Sequence, residues 1–112
     1  MIKFQRITTK DATLYNYMEQ LMTASFPSEE YRPLEELRNY TDTKTHFYCN
    51  IILHHDTPVG FITYWDFGHF YYVEHFAIDP SLRNGGHGKN VLNHLCQQLN
   101  KPIILEVEMP EE

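Results

Sequence analysis

Three glycines fall within four residues near the C-terminus, between a strand-like run and a helix-like run. The run before them, residues 70–79, is rich in aromatic and β-branched side chains, whereas the run after them repeats apolar residues at helical spacing. Gly85, Gly86 and Gly88 allow the backbone to turn sharply and to approach a ligand closely. A helix that starts at about Gly86 would present free N–H groups and the positive end of its dipole there. The sequence therefore predicts a strand–loop–helix unit that can hold a phosphate group.

Charged and polar residues flank these glycines. Arg83 precedes them and Lys89 follows them, so both could add positive charge, and His87 could donate a hydrogen bond to phosphate. The backbone N–H groups from Asn84 to Gly88 would form the cradle itself. The alternative is a loop that only caps the helix, but Gly88 would then cost that helix about 1 kcal/mol relative to alanine. This cost favours a ligand as the reason for Gly88.

The spacing Arg83-x-x-Gly86-x-Gly88 resembles the Arg/Gln-x-x-Gly-x-Gly/Ala signature of the GNAT acyltransferase superfamily. The resemblance is strongest over residues 70–99 and elsewhere rests on the order of the elements. It implies that the loop binds the pyrophosphate of acetyl-CoA, the co-substrate of that family. Arg83, Asn84, Gly85, Gly86, His87, Gly88 and Lys89 are then cofactor-binding residues.

The strand before the loop has a second role by the same resemblance. In the family, the main chain at the positions of Phe76, Ala77 and Ile78 pairs with the pantetheine arm of the cofactor, much as an added strand would. An amide N–H of this stretch also polarises the thioester carbonyl. We therefore expect the backbone of these three residues to be functional and their side chains to belong to the core.

Hydrophobic periodicity predicts an α/β fold in the order β-α-α-β-β-β-α-β. The three central strands should form an antiparallel meander, and the last strand should join the sheet in parallel through a right-handed crossover. This GNAT-like, mostly antiparallel mixed sheet flanked by helices would make one domain over residues 1–112. The strands are expected at 2–7, 46–54, 59–65, 69–78 and 103–107, and the helices at 12–25, from Pro33 and from about Gly86.

Glu74 is the candidate catalytic residue. Simple alternation along strand 69–78 places it on one face with four apolar residues, namely Phe70, Tyr72, Phe76 and Ile78. Covering that face would disfavour the charged carboxylate and suit it to accept a proton near neutral pH. The resemblance implies the same role, because an acidic residue near this place often deprotonates the acceptor amine. The alternative is a glutamate at the rim, or one paired with an arginine such as Arg32.

The connection between the first two helices is the candidate substrate-binding segment. The corresponding segment in the family often lines the acceptor site, so Glu30, Tyr31 and Arg32 could contact a substrate. A solvated charged loop is the equal alternative.

Composition limits the possible partners. The net charge is −6 and no basic cluster is present, so a nucleic-acid partner is not expected, whereas a small-molecule or peptide amine fits the charge better. No apolar run is long enough to cross a membrane and the N-terminus lacks a signal region. Cys49 and Cys96 are expected to be free thiols, which predicts a cytoplasmic location. No Cys/His spacing resembles a zinc site, so no metal is expected.

The chain is short by comparison with the family pattern, which continues with a helix and two strands. That helix commonly carries a tyrosine that protonates the departing thiolate, and no tyrosine follows Tyr72 here. We therefore expect residues 103–107 to expose a strand edge that could pair in a homodimer. The function predicted is N-acetyl transfer from acetyl-CoA to a primary amine by direct attack. A catalytically silent CoA-binding or interaction module is the alternative.

Overall fold

The computed structural model describes residues 2–81, 87–98 and 101–105, and it contains the predicted order of elements. The strands are β1 (Ile2–Arg6), β2 (Phe47–His54), β3 (Thr57–Asp66), β4 (Tyr71–Ile78) and β5 (Ile103–Leu105). The helices are α1 (Ala12–Ser25), α2 (Leu34–Thr43) and α3 (His87–Gln98), with a short 3₁₀ turn at Ser28–Glu30.

The sheet has the spatial order β1-β2-β3-β4-β5. The first four strands are antiparallel neighbours, and β5 joins β4 in parallel, so the mixed and mostly antiparallel sheet is confirmed. The parallel pairing is short and runs from Tyr71 opposite Ile103 to Val73 opposite Leu105. Helix α3 lies in the connection between these two strands, as a parallel crossover requires.

Both faces of the sheet carry a hydrophobic cluster. One cluster joins the sheet to α1 and α2 and includes Met18, Met22, Leu37, Ile51 and Phe61. The other lies on the opposite face and includes Ile2, Ile52, Ile62, Val73 and Ile78. Side chains alternate across a strand, which explains why Ile51 and its neighbour Ile52 belong to different clusters.

A β-bulge interrupts this alternation in β4. Thr63 lies opposite His75, but the next residue of β3, Tyr64, lies opposite Val73, so Glu74 is an extra residue in its strand. An extra residue reverses the face of the sheet to which each following side chain of its strand points.

The prediction that Phe70, Tyr72, Glu74, Phe76 and Ile78 share one face of the strand was therefore wrong. Phe76 and Ile78 pack with Val73 in the cluster that faces away from α1 and α2, whereas Ala77 packs in the cluster beneath those helices. Glu74 and Tyr72 lie in the wall of a cleft that contains neither Phe76 nor Ile78. Simple alternation could not reveal this shift, because a bulge depends on the partner strand.

Gly60 lets β3 and β4 approach closely. A Cβ atom at this position would lie 2.3 Å from the carbonyl oxygen of Ala77 and 3.1 Å from the Cα of Ile78. Both are backbone atoms, so a side chain at Gly60 could be accommodated only by moving β4.

Candidate acetyl-transfer site

Glu74 sits at the bulge and points its carboxylate at two donors. Arg32 donates through Nη2 to Oε1 at 2.5 Å and through Nε to Oε2 at 3.3 Å, and the indole Nε1 of Trp65 donates to Oε1 at 2.8 Å. The Glu74 side chain is 12% exposed. The sequence predicted apolar surroundings for Glu74, but two polar side chains contact its carboxylate. The alternative prediction, pairing with Arg32, is the one that the structure shows. Both oxygens of the carboxylate thus accept hydrogen bonds.

Arg32 follows the 3₁₀ turn and reaches across to β4. Besides Glu74, its guanidinium contacts Glu36, with Nη1 3.4 Å from Oε1. It also lies over the rings of Tyr40 and Trp65, 4.8 and 5.9 Å from their centroids. The hydrogen bond to Glu74 raises the pKa of Arg32 further above its usual value. One guanidinium therefore pairs with two carboxylates.

The Arg32–Glu74 pair forms part of the wall of an open cleft of about 600 Å³. The rest of the wall is largely aromatic and comprises Trp65, Phe67, Phe70, Tyr72 and Ile104. This size is typical of small-molecule sites.

Phe67 lies at the centre of the aromatic contacts in the wall of the cleft. Its ring stacks parallel to that of Trp65, with centroids 5.9 Å apart, and also contacts the rings of Phe70 and Tyr72. Phe67 is nevertheless 51% exposed, and Ile104, which also lines the cleft, is 45% exposed. Large apolar side chains exposed side by side usually mark a binding surface.

An ion pair holds the turn that carries Phe67. Asp66 accepts a hydrogen bond from the N–H of Gly68 at 3.0 Å and another from Nζ of Lys101 at 2.9 Å. Gly68 has a φ of +90°, a conformation that other residues seldom adopt. Lys101 lies two residues before the start of β5, so the turn is anchored next to the strand that supplies Ile104.

Of the predicted substrate-binding residues, only Arg32 lines the cleft. Tyr31 is half-buried against the cluster beneath α1 and α2, and the Glu30 side chain is exposed. The carbonyl oxygen of Glu30 accepts a hydrogen bond from Nε2 of His75 at 2.7 Å, and the His75 ring also meets Phe26 edge-on. This contact fixes the connection between the helices against β4.

The main chain of β4 alternates in direction beyond the bulge. The N–H of Asp79 donates to the carbonyl oxygen of Val59 at 2.8 Å, so Asp79 faces β3. Because N–H and C=O groups change sides at each residue of an antiparallel ladder, Ala77 also faces β3 while Phe76 and Ile78 face the opposite direction. In the described part of the chain, β5 pairs with β4 only at 71–73, before this stretch. The predicted cofactor contact of this segment stays a prediction.

The predicted phosphate loop is described only at its end. Arg83, Asn84, Gly85 and Gly86 lie outside the described residues. Helix α3 begins at His87 and contains Gly88, and Lys89 is exposed in its first turn. The described helix start thus agrees with the start expected at about Gly86, within one residue.

The strand end before this loop is fixed by Asp79. Its Oδ1 accepts hydrogen bonds from the N–H of Ser81 at 3.0 Å and from the Ser81 hydroxyl at 2.8 Å. The hydroxyl of Tyr17 on α1 donates to Oδ2 at 3.4 Å. Burial raises the pKa of Tyr17 to about 12, so this hydroxyl keeps its proton at neutral pH.

Two kinds of feature are absent from the described residues. They contain no group of three or more His, Cys, Asp or Glu side chains placed to hold a metal ion. They also contain no helix that is long and apolar enough to span a membrane.

Comparison with protein families gives one match, to the acetyltransferase (GNAT) family over residues 12–112. The chain belongs to the GNAT acetyltransferase family. The resemblance read from Arg83, Gly86 and Gly88 is thereby confirmed. No curated protein matches the chain.

Solved structures of GNAT proteins share this fold. A GNAT-family protein from Bacteroides thetaiotaomicron is 61% identical, with a TM-score of 0.93 over 98% of this chain and 62% of its own length. The chain thus spans less than two thirds of that relative. A ribosomal-protein-alanine N-acetyltransferase from Brucella melitensis is 15% identical, with a TM-score of 0.66 over 100% of this chain and 84% of its own. An aminoglycoside 6'-N-acetyltransferase complexed with coenzyme A is 19% identical, with a TM-score of 0.64 over 86% of this chain and 54% of its own. The latter two support the fold alone.

Sequence reasoning missed part of the candidate site. Trp65, Phe67 and Ile104 were not predicted to contribute to it, although all three line the cleft. Aromatic residues on both sides of the turn at 66–68 were the available signal. That signal predicts an exposed aromatic cluster only when the two flanking strands are known to be neighbours.

Proposed function

We propose that this GNAT protein is an N-acetyltransferase that transfers the acetyl group of acetyl-CoA to a primary amine by direct attack, in one domain over residues 1–112. The observation that carries the proposal is the Glu74 carboxylate, held by Arg32 and Trp65 in the wall of an open cleft beside β4. A carboxylate in such a wall can reach a bound amine directly or through one water molecule.

The reaction needs few groups from the protein. The amine nitrogen attacks the thioester carbonyl carbon, the carbon–sulfur bond breaks, and the proton released by nitrogen passes to Glu74. The thiolate of CoA leaves with the electron pair of that bond. Because a thiol has a pKa of about 8.5, this thiolate can leave without a dedicated general acid.

The cofactor would lie along β4 and the start of α3. The outward N–H and C=O groups of Phe76 suit pairing with the pantetheine arm, while Ala77 and Ile78 shape the same strand. The loop from Arg83 to Lys89 would hold the pyrophosphate, since α3 offers the positive end of its dipole at His87. The coenzyme A complex of an aminoglycoside acetyltransferase of the same fold supports this ligand class.

Three further expectations belong to this proposal. The acceptor is a small-molecule or peptide amine, in keeping with relatives described as aminoglycoside and ribosomal-protein-alanine acetyltransferases. The protein is cytoplasmic, because Cys49 and Cys96 are both free thiols. It forms a homodimer through β5, the last strand in the order of the described sheet. Light scattering at micromolar concentration should then give about twice the monomer mass.

Calorimetry and a transfer assay test the proposal together. Wild type should bind acetyl-CoA and release free CoA thiol when an amine is added. Gly86→Val should abolish cofactor binding while the protein stays folded by circular dichroism, because a side chain there blocks the approach of the pyrophosphate. Unchanged affinity in folded Gly86→Val would refute the cofactor site. Binding without transfer to any amine would favour a silent CoA-binding module.

A further inference from the structure

We propose that the cleft selects a primary amine carried on an apolar, preferably flat, body, such as an arylalkylamine, and discriminates against polyhydroxylated and polycationic amines. This inference rests on the proposed function, because it names the acceptor class of the same site. Phe67 is assigned as the main specificity-determining residue.

The wall of the cleft suits an apolar ligand body. Five of the residues that line the cleft are aromatic or aliphatic, and one of them, Phe67, is half exposed. Its ring is already fixed by contacts with Trp65, Phe70 and Tyr72, so little conformational entropy is lost when a ligand covers it. An apolar ligand body placed here would remove apolar surface from water on both sides.

The polar end of the cleft suits an ammonium group. The Glu74 carboxylate lines the polar end of the cleft, and the Arg32 guanidinium that pairs with it is shared with a second carboxylate, that of Glu36. An ammonium group would be attracted to this end, and aromatic faces nearby add cation–π attraction. The two ends of the cleft therefore match a molecule with one cationic end and one apolar end.

The hydrogen-bond donors of Trp65 and Arg32 in the wall of the cleft are already paired within the protein. The indole N–H of Trp65 is already donated to Glu74, and the Arg32 donors are directed to Glu74 and Glu36. A polyhydroxylated amine would place several hydroxyls, and a polyamine its further ammonium groups, against Phe67, Phe70 and Ile104, whose side chains cannot pair with them. Each buried hydroxyl without a partner weakens binding.

A panel of four amines tests the selectivity. Phenethylamine and hexylamine have an apolar body, whereas spermidine is polycationic and kanamycin is polyhydroxylated. With acetyl-CoA at saturation, kcat/KM for phenethylamine should exceed that for spermidine and kanamycin by about tenfold or more. Phe67→Ala should raise KM for phenethylamine by about tenfold with little change in kcat, while the conservative variant Phe67→Tyr, which keeps the ring, should raise KM clearly less than Phe67→Ala does.

The failure of this inference is distinguishable from that of the proposed function. Transfer to spermidine or kanamycin at a kcat/KM equal to or above that for phenethylamine would overturn the selectivity and leave the transferase intact. So would a Phe67→Ala protein with unchanged KM for phenethylamine. If no amine is acetylated, calorimetry measures binding of phenethylamine and of the uncharged benzyl alcohol directly. Saturable binding of phenethylamine but not of benzyl alcohol, lost in Phe67→Ala, supports the inference. The absence of such binding overturns it.

Discussion

Arg32 and Glu74 form a two-point ion pair between the connection of the first two helices and the bulge of β4, with Nη2 2.5 Å from Oε1 and Nε 3.3 Å from Oε2. The residues are 42 positions apart in the chain, so the pair forms only when the helices dock on the sheet. It fixes the carboxylate at the polar end of an otherwise apolar cleft. Because a bidentate contact restricts both side chains, Arg32 determines where the Glu74 carboxylate lies, and so where it would accept a proton in the proposed reaction.

Glu74→Gln should lower kcat by roughly 100-fold or more, because the amide cannot act as a general base. The amide oxygen can still accept the hydrogen bond of Trp65, so the fold should be retained. Affinity for acetyl-CoA, measured by calorimetry, should be unchanged. Wild-type turnover in Glu74→Gln with a proven acceptor would remove this carboxylate from the mechanism.

Arg32 acts as a positioning residue in this scheme. Arg32→Gln removes both the charge and the two-point hydrogen bonding of the guanidinium, whereas Arg32→Lys keeps only the charge. We expect kcat to fall in both, with Arg32→Lys intermediate, and KM for acetyl-CoA to stay constant. The pair is partly exposed, at 32% for Arg32 and 12% for Glu74, so its loss should cost only about 1–2 kcal/mol in urea unfolding. Equal kcat in all three proteins would show that Arg32 only stabilises the fold.

The sequence predicted the elements well and the cleft poorly, for a physical reason. Apolar spacing is a local property, and it located α1 at 12–25, within the bounds that the structure gives. The bulge at Glu74 arises from the pairing of β4 with β3, so alternation along β4 alone placed Phe76 and Ile78 on the wrong face. The ring of Phe67 likewise gains its position from Trp65 on the neighbouring strand.

The two thiols should differ sharply in reactivity. Cys49 is 1% exposed, and burial raises its pKa to about 12, whereas Cys96 on α3 is exposed. A disulfide reagent such as Ellman's should therefore titrate one thiol per native chain at neutral pH and both in denaturant, because the thiolate is the reactive form. Cys96→Ser should leave the native protein unreactive. Rapid reaction of two thiols in the native state would contradict the packing of Cys49.

Asp42 should make stability depend on pH in the acid range. Its carboxylate accepts hydrogen bonds from the N–H of Thr9 at 2.9 Å and from the Thr9 hydroxyl at 2.5 Å, and these lower its pKa. A lowered pKa in the folded state adds stability above the unfolded value of about 3.9, and this stability is lost as the pH falls through the folded value.

Asp42→Asn should therefore be less stable than wild type by about 1 kcal/mol near neutral pH, since the site is exposed and screened. The difference should shrink as the pH falls below about 4. Urea unfolding of both proteins over this range measures it. A difference that stays constant with pH would show that the charge of Asp42 does not contribute.

Gly60→Ala tests the link between the packing of β4 and cofactor binding. The added methyl would lie 2.3 Å from the carbonyl oxygen of Ala77, a backbone atom that can move only with its strand. Such overpacking typically costs about 1–3 kcal/mol, which thermal unfolding would show as a lower Tm. Because the displaced strand carries Phe76, acetyl-CoA affinity should fall as well. Asp56→Ala, in the hairpin turn between β2 and β3, serves as the control: any loss of stability there should leave cofactor affinity unchanged. A Gly60→Ala protein that is destabilised yet binds acetyl-CoA as tightly as wild type would show that the cofactor does not contact this part of β4.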